Sequence, residues 1–492
     1  MRFPTSFLLL LTTVLATTVL AGSPLYAQLS SRPGTLHAPT GQHRGIIVSP
    51  QTVTVAAGGS EQFSATAFGD APVHWSATGG MITETGLFMA GPTPGAYTVT
   101  GQTPSAAATV SVTIVPAGPA APGPRHFVSI HPGESVQAAV NANPEGTSFL
   151  IKSGVHRRQT VRPRSGMSFI GEAGAVLDGE HAAGHAFVGH LTRNVTIRGL
   201  HVTRYAPAAL NAAVDAVETN GWVIEGNEID NTSNGMQRVY GVRLGSNGAV
   251  RGNAIHHNGW LAISCYNETD TVIEGNEVYA NPPALFDDTI GEAANMKLYD
   301  CGRIVIRGND VHDGPFRGIW VDTMRPDVTI EGNRVSNHGA QGIWYEVSYR
   351  GVIRDNYVEN AGYLGRYTPD WPTDAGIQVT NSPDVSVVGN TVVNSLNGIL
   401  GHQAAGYLHG SSGRNELRNL LVEGNTIVMP RGQSGIVHNV GANDVYVSWN
   451  NRFVRNRYVL GQNGSPFFWM GRGIDERAWQ AYGQGANESY TR

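Results

Sequence analysis

The sequence predicts an all-β protein in which a solenoid of stacked coils follows a small β-sandwich. Two observations predict the solenoid: an apolar-x-apolar-x-Gly-Asn pattern recurs at steps of mostly about 24 residues, and short alternating segments fill the intervals. A third observation is the glycine content, 62 of 492 residues, with many glycines followed by Asn. Gly and Asn tolerate the left-handed backbone conformation of sharp corners, so this composition suits a fold with many tight turns.

The charge of the chain argues against a nucleic-acid or membrane-surface partner. Its formal net charge is -5, only 14% of its residues are charged, and no basic run stands out. Cys265 and Cys301 are the two cysteines, and an exported protein could pair them. The solenoid core, and not a disulfide framework, must therefore supply most of the stability. We expect a monomer of two or three domains.

Residues 1–27 are typical of a secretory signal peptide. A short positive start precedes an apolar stretch from Phe7 to Leu20, and small residues follow, with Ala27 as the expected cleavage point and Ala21 as the alternative. The apolar stretch is short for a membrane span, and no later segment is long enough for one. A buried N-terminal helix is the competing interpretation. We predict a secreted protein, extracellular or periplasmic, without a membrane span.

Residues 46–116 change to short alternating strands separated by turns, after a polar linker at 28–45. Alternation over about five residues around a central Trp75 is typical of a small antiparallel sandwich. The segments "GGSEQFSATA", "VHWSAT", "GLF" and "PGAYTVT" resemble bacterial immunoglobulin-like group 2 domains. That resemblance implies a spacer or weak surface binder, so no chemistry is assigned to this domain. A Pro-rich linker at 117–124 follows it.

The Gly-Asn pattern predicts the coils of the solenoid. Its asparagines are separated by 26, 23, 33, 24, 23, 34, 35 and 25 residues. Each coil is expected to point Val, Ile and Leu inward onto the next coil, and each Asn to lie at a corner in a ladder with its neighbours. This ladder is structural. Its predicted members are Asn227, Asn253, Asn276, Asn309, Asn333, Asn356, Asn390, Asn425 and Asn450.

Residues 125–460 are predicted to form the solenoid, and 461–492 its C-terminal cap. The helical segment "ESVQAAVN" precedes Phe149-Leu150-Ile151, the expected first strand. The opening "SIHPGESVQAAVNANPEG", with "SFLIKSGVH", "SFIGEAGAVLDGE" and "NVTIRGLHV", resembles that of secreted pectate-lyase-like proteins, as does the ending "FFWMGRGIDERAWQAYGQ". The resemblance covers nearly all of residues 125–492 and implies a right-handed parallel β-helix. It leaves the reaction open, because this superfamily contains lyases, hydrolases, epimerases and non-catalytic binders.

Three long steps of the repeat indicate loops inserted between coils, at 282–293, 361–374 and about 402–417. Such insertions often build the binding groove of a solenoid, although a long loop can also be without function. They contain aromatic and acidic residues suited to sugar contact. These are Phe286, Asp287, Asp288, Tyr363, Tyr367 and Trp371.

Two neighbouring coils place acids side by side. The segments Gly318-Ile319-Trp320-Val321-Asp322 and Gly342-Ile343-Trp344-Tyr345-Glu346 are offset by 24, the same as Asn309 to Asn333. With Ile319 inward, alternation points Asp322 and Glu346 outward, about 4.8 Å apart, beside Trp320 and Trp344. Adjacent carboxylates repel each other unless something compensates them, and this arrangement indicates a site. An accidental pair shielded by Lys297 is the alternative.

The same alignment extends an outward row of polar and aromatic residues to either side of the acid pair. Lys297 joins Asp322 and Glu346 as a candidate catalytic residue, and the two acids are also the candidate metal ligands. The candidate substrate-binding residues are Arg243, Tyr266, Tyr299, Trp320, Trp344, Gln378 and His402, and the row further contains Ser264, Thr380 and Asn439.

The leading hypothesis is a polysaccharide lyase or epimerase acting on a uronate-containing polysaccharide. Asp322 and Glu346 would hold Ca²⁺, the ion would neutralise the substrate carboxylate, and Lys297 would remove the α-proton. Arg243 would orient the uronate, with Tyr299 or His402 supplying a proton. The resemblance to β-helix polysaccharide lyases, which pair a basic side chain with acidic calcium ligands, implies the same arrangement.

Two alternatives stay open. In a retaining glycoside hydrolase the same acids would be acid and nucleophile, since a separation of about 5–5.5 Å suits that reaction. In a non-catalytic glycan-binding or adhesion protein the tryptophans would form a platform for sugar rings. A further motif, Asp310-Val311-His312-Asp313, resembles the Asp-Pro-His-Asp motif of β-helix alginate epimerases but has Val for Pro, and a surface histidine is the preferred interpretation.

Overall fold

The computed structural model describes residues 46–50, 52–57, 59–67, 72–104, 106–115, 127–233, 238–282, 291–365, 368, 370–405, 413–440 and 443–492. The predicted signal peptide, the linker that follows it and the Pro-rich linker lie outside these residues. In the part that is described, no helix has the length and apolar character to cross a membrane.

The N-terminal domain is a small β-sandwich. Its core contains Phe63, Phe88, Val99 and Val112, and Trp75 packs beside Phe63 with ring centroids 6.4 Å apart. The strands are β1 (Ile46–Ser49), β2 (Thr52–Ala56), β3 (Ser60–Gln62), β4 (Ser64–Ala67), β5 (His74–Ala77), β6 (Gly80–Ile82), β7 (Leu87–Ala90), β8 (Gly95–Gln102) and β9 (Ala107–Val115). They form sheets with the orders β1-β4, β2-β9-β8-β5 and β3-β7-β6. The immunoglobulin-like assignment stays a prediction.

The remainder is a β-helix, which confirms the predicted fold class: three long sheets run along the solenoid, and successive coils add one parallel strand to each. The exception is the last strand of the third sheet, Arg472–Ile474, which pairs antiparallel with Phe467–Trp469. Sheet one consists of β10 (Val128–Ile130), β11 (Ser148–Ile151), β13 (Ser168–Gly171), β16 (Thr196–Arg198), β19 (Val223–Glu225), β22 (Ala249–Arg251), β25 (Val272–Glu274), β28 (Val305–Arg307), β31 (Val328–Glu331), β34 (Gly351–Arg354), β37 (Val385–Val388), β40 (Leu421–Glu423) and β43 (Arg452–Val454).

Sheet two lies along a second side of the coils. It consists of β12 (Gly154–Arg157), β14 (Ala175–Asp178), β17 (His201–Thr203), β20 (Glu228–Asp230), β23 (Ala254–His256), β26 (Glu277–Tyr279), β29 (Asp310–Gly314), β32 (Arg334–His338), β35 (Tyr357–Ala361), β38 (Thr391–Val393), β41 (Thr426–Val428), β44 (Arg457–Val459) and β47 (Ser489–Thr491).

Sheet three carries the predicted site residues. It consists of β15 (Phe187–Val188), β18 (Ala212–Asp215), β21 (Tyr240–Arg243), β24 (Leu261–Tyr266), β27 (Ala294–Tyr299), β30 (Arg317–Asp322), β33 (Ile343–Glu346), β36 (Ala375–Thr380), β39 (Asn397–Gln403), β42 (Ser434–His438), β45 (Phe467–Trp469) and β46 (Arg472–Ile474). Helices of the described residues are α1 (Val136–Ala142), α2 (Asp444–Val447) and α3 (Glu476–Ala481).

The asparagine ladder runs through the buried corner after sheet one. Asn309 is typical: its Nδ2 donates to Ile273 O at 3.0 Å and to Asn333 Oδ1 at 2.9 Å, and its own Oδ1 accepts from Asn276. The ladder runs without interruption from Asn227 through Asn425 as predicted. Its next member is Asn456, not the predicted Asn450, because Val447-Ser448-Trp449-Asn450 belongs to the end of α2 and the turn after it. The remaining members are Asn253, Asn333, Asn356 and Asn390.

The ends differ from the predicted boundaries in two ways. The first strand of sheet one is Val128–Ile130, upstream of α1, and Phe149-Leu150-Ile151 belongs to the second strand. At the other end, Ser489–Thr491 pairs with β44, so sheet two continues into the segment predicted as a cap. There Trp479 of α3 stacks on Phe467 at 4.5 Å and covers the end of the core.

The two cysteines form a disulfide between neighbouring coils. Cys265 lies in β24 and Cys301 follows β27, with Cα atoms 6.4 Å apart and both side chains buried. The bond links β24 to the residues just after β27, and β27 is the neighbour of β30 in sheet three. It therefore fixes one side of the predicted site.

Candidate functional site

The acid pair faces outward from sheet three. In β30, Ile319 and Val321 are fully buried inside the coil, so alternation directs Trp320 and Asp322 to the outer face. β33 pairs with β30 in a register that places Glu346 directly opposite Asp322. The predicted juxtaposition of the two acids is thus present in the structure.

The same register aligns the other candidates in two parallel tracks. Arg243 pairs with Ser264 at the start of the first track, and Asp322 and Glu346 lie in the second. Beyond His402 the second track reaches Val437, not the predicted Asn439. The first track contains Arg243, Ser264, Lys297, Trp320, Trp344 and Gln378, and the second contains Tyr266, Tyr299, Asp322, Glu346, Thr380 and His402.

Lys297 lies at the centre of this row and is almost fully enclosed. Its Nζ is paired with Glu292, which precedes β27, and with Asp322 Oδ2 at 3.0 Å. The same atom lies 3.5 Å from the centroid of the Trp320 ring, a cation–π contact. Only 7% of the lysine side chain is exposed. To act as a proton-abstracting base, Lys297 would have to leave all three partners.

Glu346 is a carboxyl group in a strongly perturbed environment. Burial raises its pKa to about 8, and the negative charge of Asp322 acts in the same direction. Lys297, Arg317 and the Trp320 Nε1 that donates to Glu346 Oε2 at 3.0 Å oppose this shift without cancelling it. Glu346 therefore holds its proton at neutral pH, next to a second acid that is paired with an ammonium group.

The two tryptophans do not form the exposed sugar platform that the sequence suggested. Trp320 is 3% exposed and stacks on Trp344 with centroids 4.6 Å apart and planes 15° apart. The Arg317 guanidinium covers both rings, at 4.9 and 5.3 Å from their centroids. Large side chains on successive coils bury one another on the outer face. The other buried members of this cluster are Ala212, Tyr240, Trp260, Leu261, Ala293 and Ala294.

Two tyrosines form the exposed aromatic surface of the row. Tyr266 and Tyr299 are 57% and 41% exposed, and their rings stack 5.9 Å apart with planes at 13°. Tyr299 pairs with Asp322, and burial together with that negative charge raises the pKa of its phenol. An exposed aromatic pair beside the acids suits stacking with a sugar ring and hydrogen bonding to its hydroxyl groups.

Arg243, at one end of the row, is engaged within the protein. Its Nε lies 3.2 Å from Asp215 Oδ1, and its NH1 donates to Leu210 O and, at 3.1 Å, to Asn211 Oδ1. The predicted role of orienting a uronate would require this guanidinium to exchange protein partners for the substrate. The described geometry gives it the role of fixing the segment before β18.

Gln378 and His402 lie at the other end of the row. Gln378 is 3% exposed and donates to Thr380 Oγ1 at 3.3 Å. Burial lowers the pKa of His402 to about 4, so its imidazole is neutral near pH 7. Its ring meets the edge of Trp371 at 5.5 Å, and its Nε2 is buried with no hydrogen-bond partner among the described residues. A buried polar atom of this kind suits a ligand hydroxyl group.

Alternation alone does not find two of the residues around the acids. Glu292 ends an inserted loop whose placement no repeat pattern fixes. Arg317 has the parity of the inward Ile319, but it begins its strand and its long side chain reaches over the tryptophans. Phe286, Asp287, Asp288 and Tyr367 of the predicted loops lie outside the described residues. Tyr363 and Trp371 are 54% and 37% exposed.

The described side chains around the acid pair do not fit calcium. Ca²⁺ takes six to eight oxygen ligands. Asp322 already accepts from Lys297 and, at 2.9 Å, from the Thr323 hydroxyl, and Glu346 accepts from the Trp320 indole. These neighbours are hydrogen-bond donors, so they compete with a cation for the carboxylates. Calcium binding by Asp322 and Glu346 stays a prediction.

His312 lies on sheet two and not on this row. Its ring stacks on Tyr279 at 5.0 Å and its Nδ1 lies 2.9 Å from Asp313. The motif around it therefore does not contribute to the acid pair. This position agrees with the interpretation of His312 as a surface histidine.

Comparison with known proteins identifies the family of the fold. The family model described as "Right handed beta helix region" matches residues 163–290, 220–392 and 285–427, which together cover more than half of the 492 residues. A search of curated proteins found no match. Among solved structures, the A-module of the Azotobacter vinelandii mannuronan C-5 epimerase AlgE6 aligns at 15% identity with a TM-score of 0.51, over 73% of this chain and 94% of that one. The corresponding AlgE4 module aligns at 13% identity with a TM-score of 0.43, over 73% and 92%. These likenesses show the fold alone.

Proposed function

Since the chain belongs to the right-handed β-helix family, we propose that the outer face of its third sheet is the active site of a carbohydrate-active enzyme. The proposed substrate is a polysaccharide, and the reaction that the geometry supports best is hydrolysis of a glycosidic bond. Glu346 is the general acid, and Asp322 is the partner carboxylate. The signal-peptide-like N terminus supports action outside the cytoplasm.

The observation that carries this proposal is the different environment of each of the two neighbouring acids. Burial raises the pKa of Glu346 to about 8, whereas Asp322 forms an ion pair with Lys297 at 3.0 Å. Glycosidases use such a pair, with one protonated acid to protonate the leaving oxygen and one carboxylate beside it. Adjacent strands lie about 4.8 Å apart, which is close to the carboxyl separation of retaining enzymes, about 5–5.5 Å.

In this mechanism the sugar stacks on Tyr266 and Tyr299, whose rings are exposed beside the acids. Glu346 donates its proton to the glycosidic oxygen while Asp322 attacks the anomeric carbon, forming a glycosyl ester and releasing the first product. Water then breaks the ester, with ionised Glu346 accepting its proton. Lys297 orients Asp322 through their ion pair.

A lyase is the second candidate, and a single observation favours it: the Lys297 ammonium and the Arg317 guanidinium lie beside the acids, as recognition of an acidic sugar would require. In that reaction Lys297 would first lose its own proton, and the neutral amine would then remove the proton next to the uronate carboxylate while the glycosidic oxygen leaves and a double bond forms. The contacts of its Nζ with Glu292 and Asp322 weigh against this role.

The test is to incubate the purified protein with a panel of neutral and uronate-containing polysaccharides, mannuronan among them. New reducing ends and new unsaturated ends are measured separately, with calcium and with chelator. Reducing ends without unsaturated ends, lost in Glu346→Gln and kept in Glu331→Gln, would support hydrolysis. Glu331 is the matched control because it is an outward acid paired with Arg354 on sheet one.

Other outcomes redirect or reject the proposal. Unsaturated ends lost in Lys297→Ala would establish the lyase and remove Glu346 as the hydrolytic acid. Polysaccharide binding without either product, unchanged in Glu346→Gln, would leave a binding protein. A change in uronate configuration without cleavage, followed by NMR, would identify an epimerase.

A further inference from the structure

A second cluster of chemically active side chains lies on the outer face of sheet two, away from the acid pair. β17 and β20 pair in register, with His201 opposite Glu228 and Thr203 opposite Asp230. The residues between them, Val202 and Ile229, are fully buried inside the coil. Alternation therefore directs His201, Glu228 and Asp230 to one outer surface, and these three residues are called the His–acid cluster.

The donor atoms of the cluster lie close together, and the two shortest distances involve different nitrogens of the His201 ring. His201 Nε2 lies 3.2 Å from Asp230 Oδ1, and His201 Nδ1 lies 3.9 Å from Glu228 Oε2. One donor atom from each residue can be chosen so that all three lie within 4.8 Å of one another. Tetrahedral zinc, with bonds of about 2.0–2.2 Å, needs ligand atoms about 3.3–3.6 Å apart. The Glu228 side chain is 48% exposed, so most of this closure would come from its rotation.

The charge balance of the cluster differs from that of other outward acids. On sheet one, Glu225 pairs with Arg251 at 2.7 Å and Glu274 with Arg307 at 2.8 Å. Among the described residues, no lysine or arginine forms an ion pair with Glu228 or Asp230. Their ion-pair partners are imidazoles. Arg204 also acts electrostatically on Asp230, but its guanidinium is hydrogen-bonded to Asp178, so neither carboxylate has a permanent cation of its own.

The surroundings support ligand orientation. Asp230 is largely buried, with 9% of its side chain exposed, and the Thr203 side chain donates a hydrogen bond to it. Its bond to His201 Nε2 would be replaced when one ion binds both residues. His256, on the next coil, places its Nε2 3.4 Å from Glu228 Oε1. Metal-binding carboxylates are commonly held by such a second hydrogen-bonding group.

We propose that the His–acid cluster is a binding site for a divalent first-row transition metal of the Zn²⁺ type, with His201, Glu228 and Asp230 as ligands and a fourth position open to water. Imidazole with carboxylate suits zinc, whereas calcium prefers oxygen ligands alone. The ion joins two coils and supplies the positive charge that the acids lack. This site is independent of the proposed glycosidase centre.

The test uses the full-length protein after chelator treatment and removal of the chelator. Zn²⁺ is titrated by calorimetry, Co²⁺ binding is followed by its visible absorption, and Ca²⁺ serves as the comparison. We expect one equivalent of Zn²⁺, a raised melting temperature, and Co²⁺ bands of low-symmetry coordination. The affinity should fall at least tenfold in His201→Ala and in Asp230→Asn, and it should fall in the parent protein at pH 5.5, because protons compete for the ligands.

His190→Ala is the matched control, since His190 is an exposed histidine paired with Glu218 at 2.9 Å. It should leave the Zn²⁺ affinity unchanged. Each variant is first compared with the parent in metal-free thermal unfolding, so that loss of binding is not mistaken for loss of folding. Zn²⁺ binding that is unchanged in both His201→Ala and Asp230→Asn, no binding at micromolar metal, or equal affinity for Ca²⁺ would overturn the proposal.

Discussion

Replacing Glu346 by Gln should stabilise the folded protein, and the gain should grow as the pH rises. In the folded state burial and the neighbouring Asp322 raise the pKa of Glu346 to about 8, from an ordinary value of 4.5. Above pH 4.5 the unfolded chain loses this proton while the folded protein keeps it. Rising pH therefore favours unfolding until the folded state also ionises near pH 8, after which the penalty is constant.

The magnitude follows from these two pKa values. One pKa unit corresponds to about 1.4 kcal/mol, so the penalty is on the order of 3 kcal/mol at pH 7 and on the order of 5 kcal/mol at pH 9. It is absent below about pH 4. Gln is nearly isosteric with Glu and still accepts the hydrogen bond that Trp320 Nε1 donates at 3.0 Å. The variant therefore removes the ionisation penalty and keeps the packing.

The assay is urea denaturation of the parent and of Glu346→Gln at pH 5, 7 and 9, followed by tryptophan fluorescence. The difference in unfolding free energy between the two proteins should increase by several kcal/mol from pH 5 to pH 9. Glu331→Gln removes an outward acid elsewhere and controls for the loss of one carboxyl group. A Glu346→Gln difference that is the same at all three pH values would refute the raised pKa, and with it the role of Glu346 as the general acid.

Three further predictions concern the ladder, the disulfide and the substrate surface. Asn309→Ala should lower the unfolding free energy by about 3 kcal/mol or more, since it leaves several buried groups without partners. The control Asn141→Ala, at an exposed position of α1, should change it by under about 0.5 kcal/mol, and chemical denaturation measures both. Reduction of the Cys265–Cys301 bond, which spans 36 residues, should cost about 4 kcal/mol and lower the melting temperature, and a Ser/Ser variant should be insensitive to reductant. Tyr266→Ala should raise KM several-fold with kcat nearly unchanged if Tyr266 stacks on substrate, and a loss confined to kcat would contradict that role.

The repeat could be predicted from the sequence because one corner residue, an Asn, makes the same hydrogen bonds on successive coils. The buried Asn side chain satisfies backbone groups of its neighbours, so substitution is costly and the pattern stays visible. The prediction of a ladder residue was wrong at Asn450. The sequence there resembles the repeat motif, but Val447 lies at the end of a helix and is 72% exposed. The first strand, Val128–Ile130, was missed because it lies before the helix and before any repeat.

The juxtaposition of the acids was also predictable, because a parallel register transfers a sequence offset directly into proximity. The burial of side chains on the outer face of sheet three could not be predicted. Whether Trp320 meets solvent depends on side chains from several coils and on the segment before β27, including Ala293. Periodicity states which side of a strand a residue occupies, but not what else covers that side. The lysine partner Glu292 comes from the same unpatterned segment.

The acid pair stands out most clearly against sheet one, where the solenoid shows how it ordinarily accommodates outward acids. There Glu274 lies opposite Arg307, and Glu331 lies opposite Arg354, so that neighbouring coils present opposite charges. An Arg at either acid position on sheet three would remove the repulsion in the same way. Instead Glu346 faces Asp322 and is held protonated, at a cost on the order of 3 kcal/mol at neutral pH. One substitution would remove this unfavourable pair, yet the chain has it beside the exposed tyrosines. Unfavourable groups of this kind cluster at functional sites, and a buried protonated acid suits a general acid.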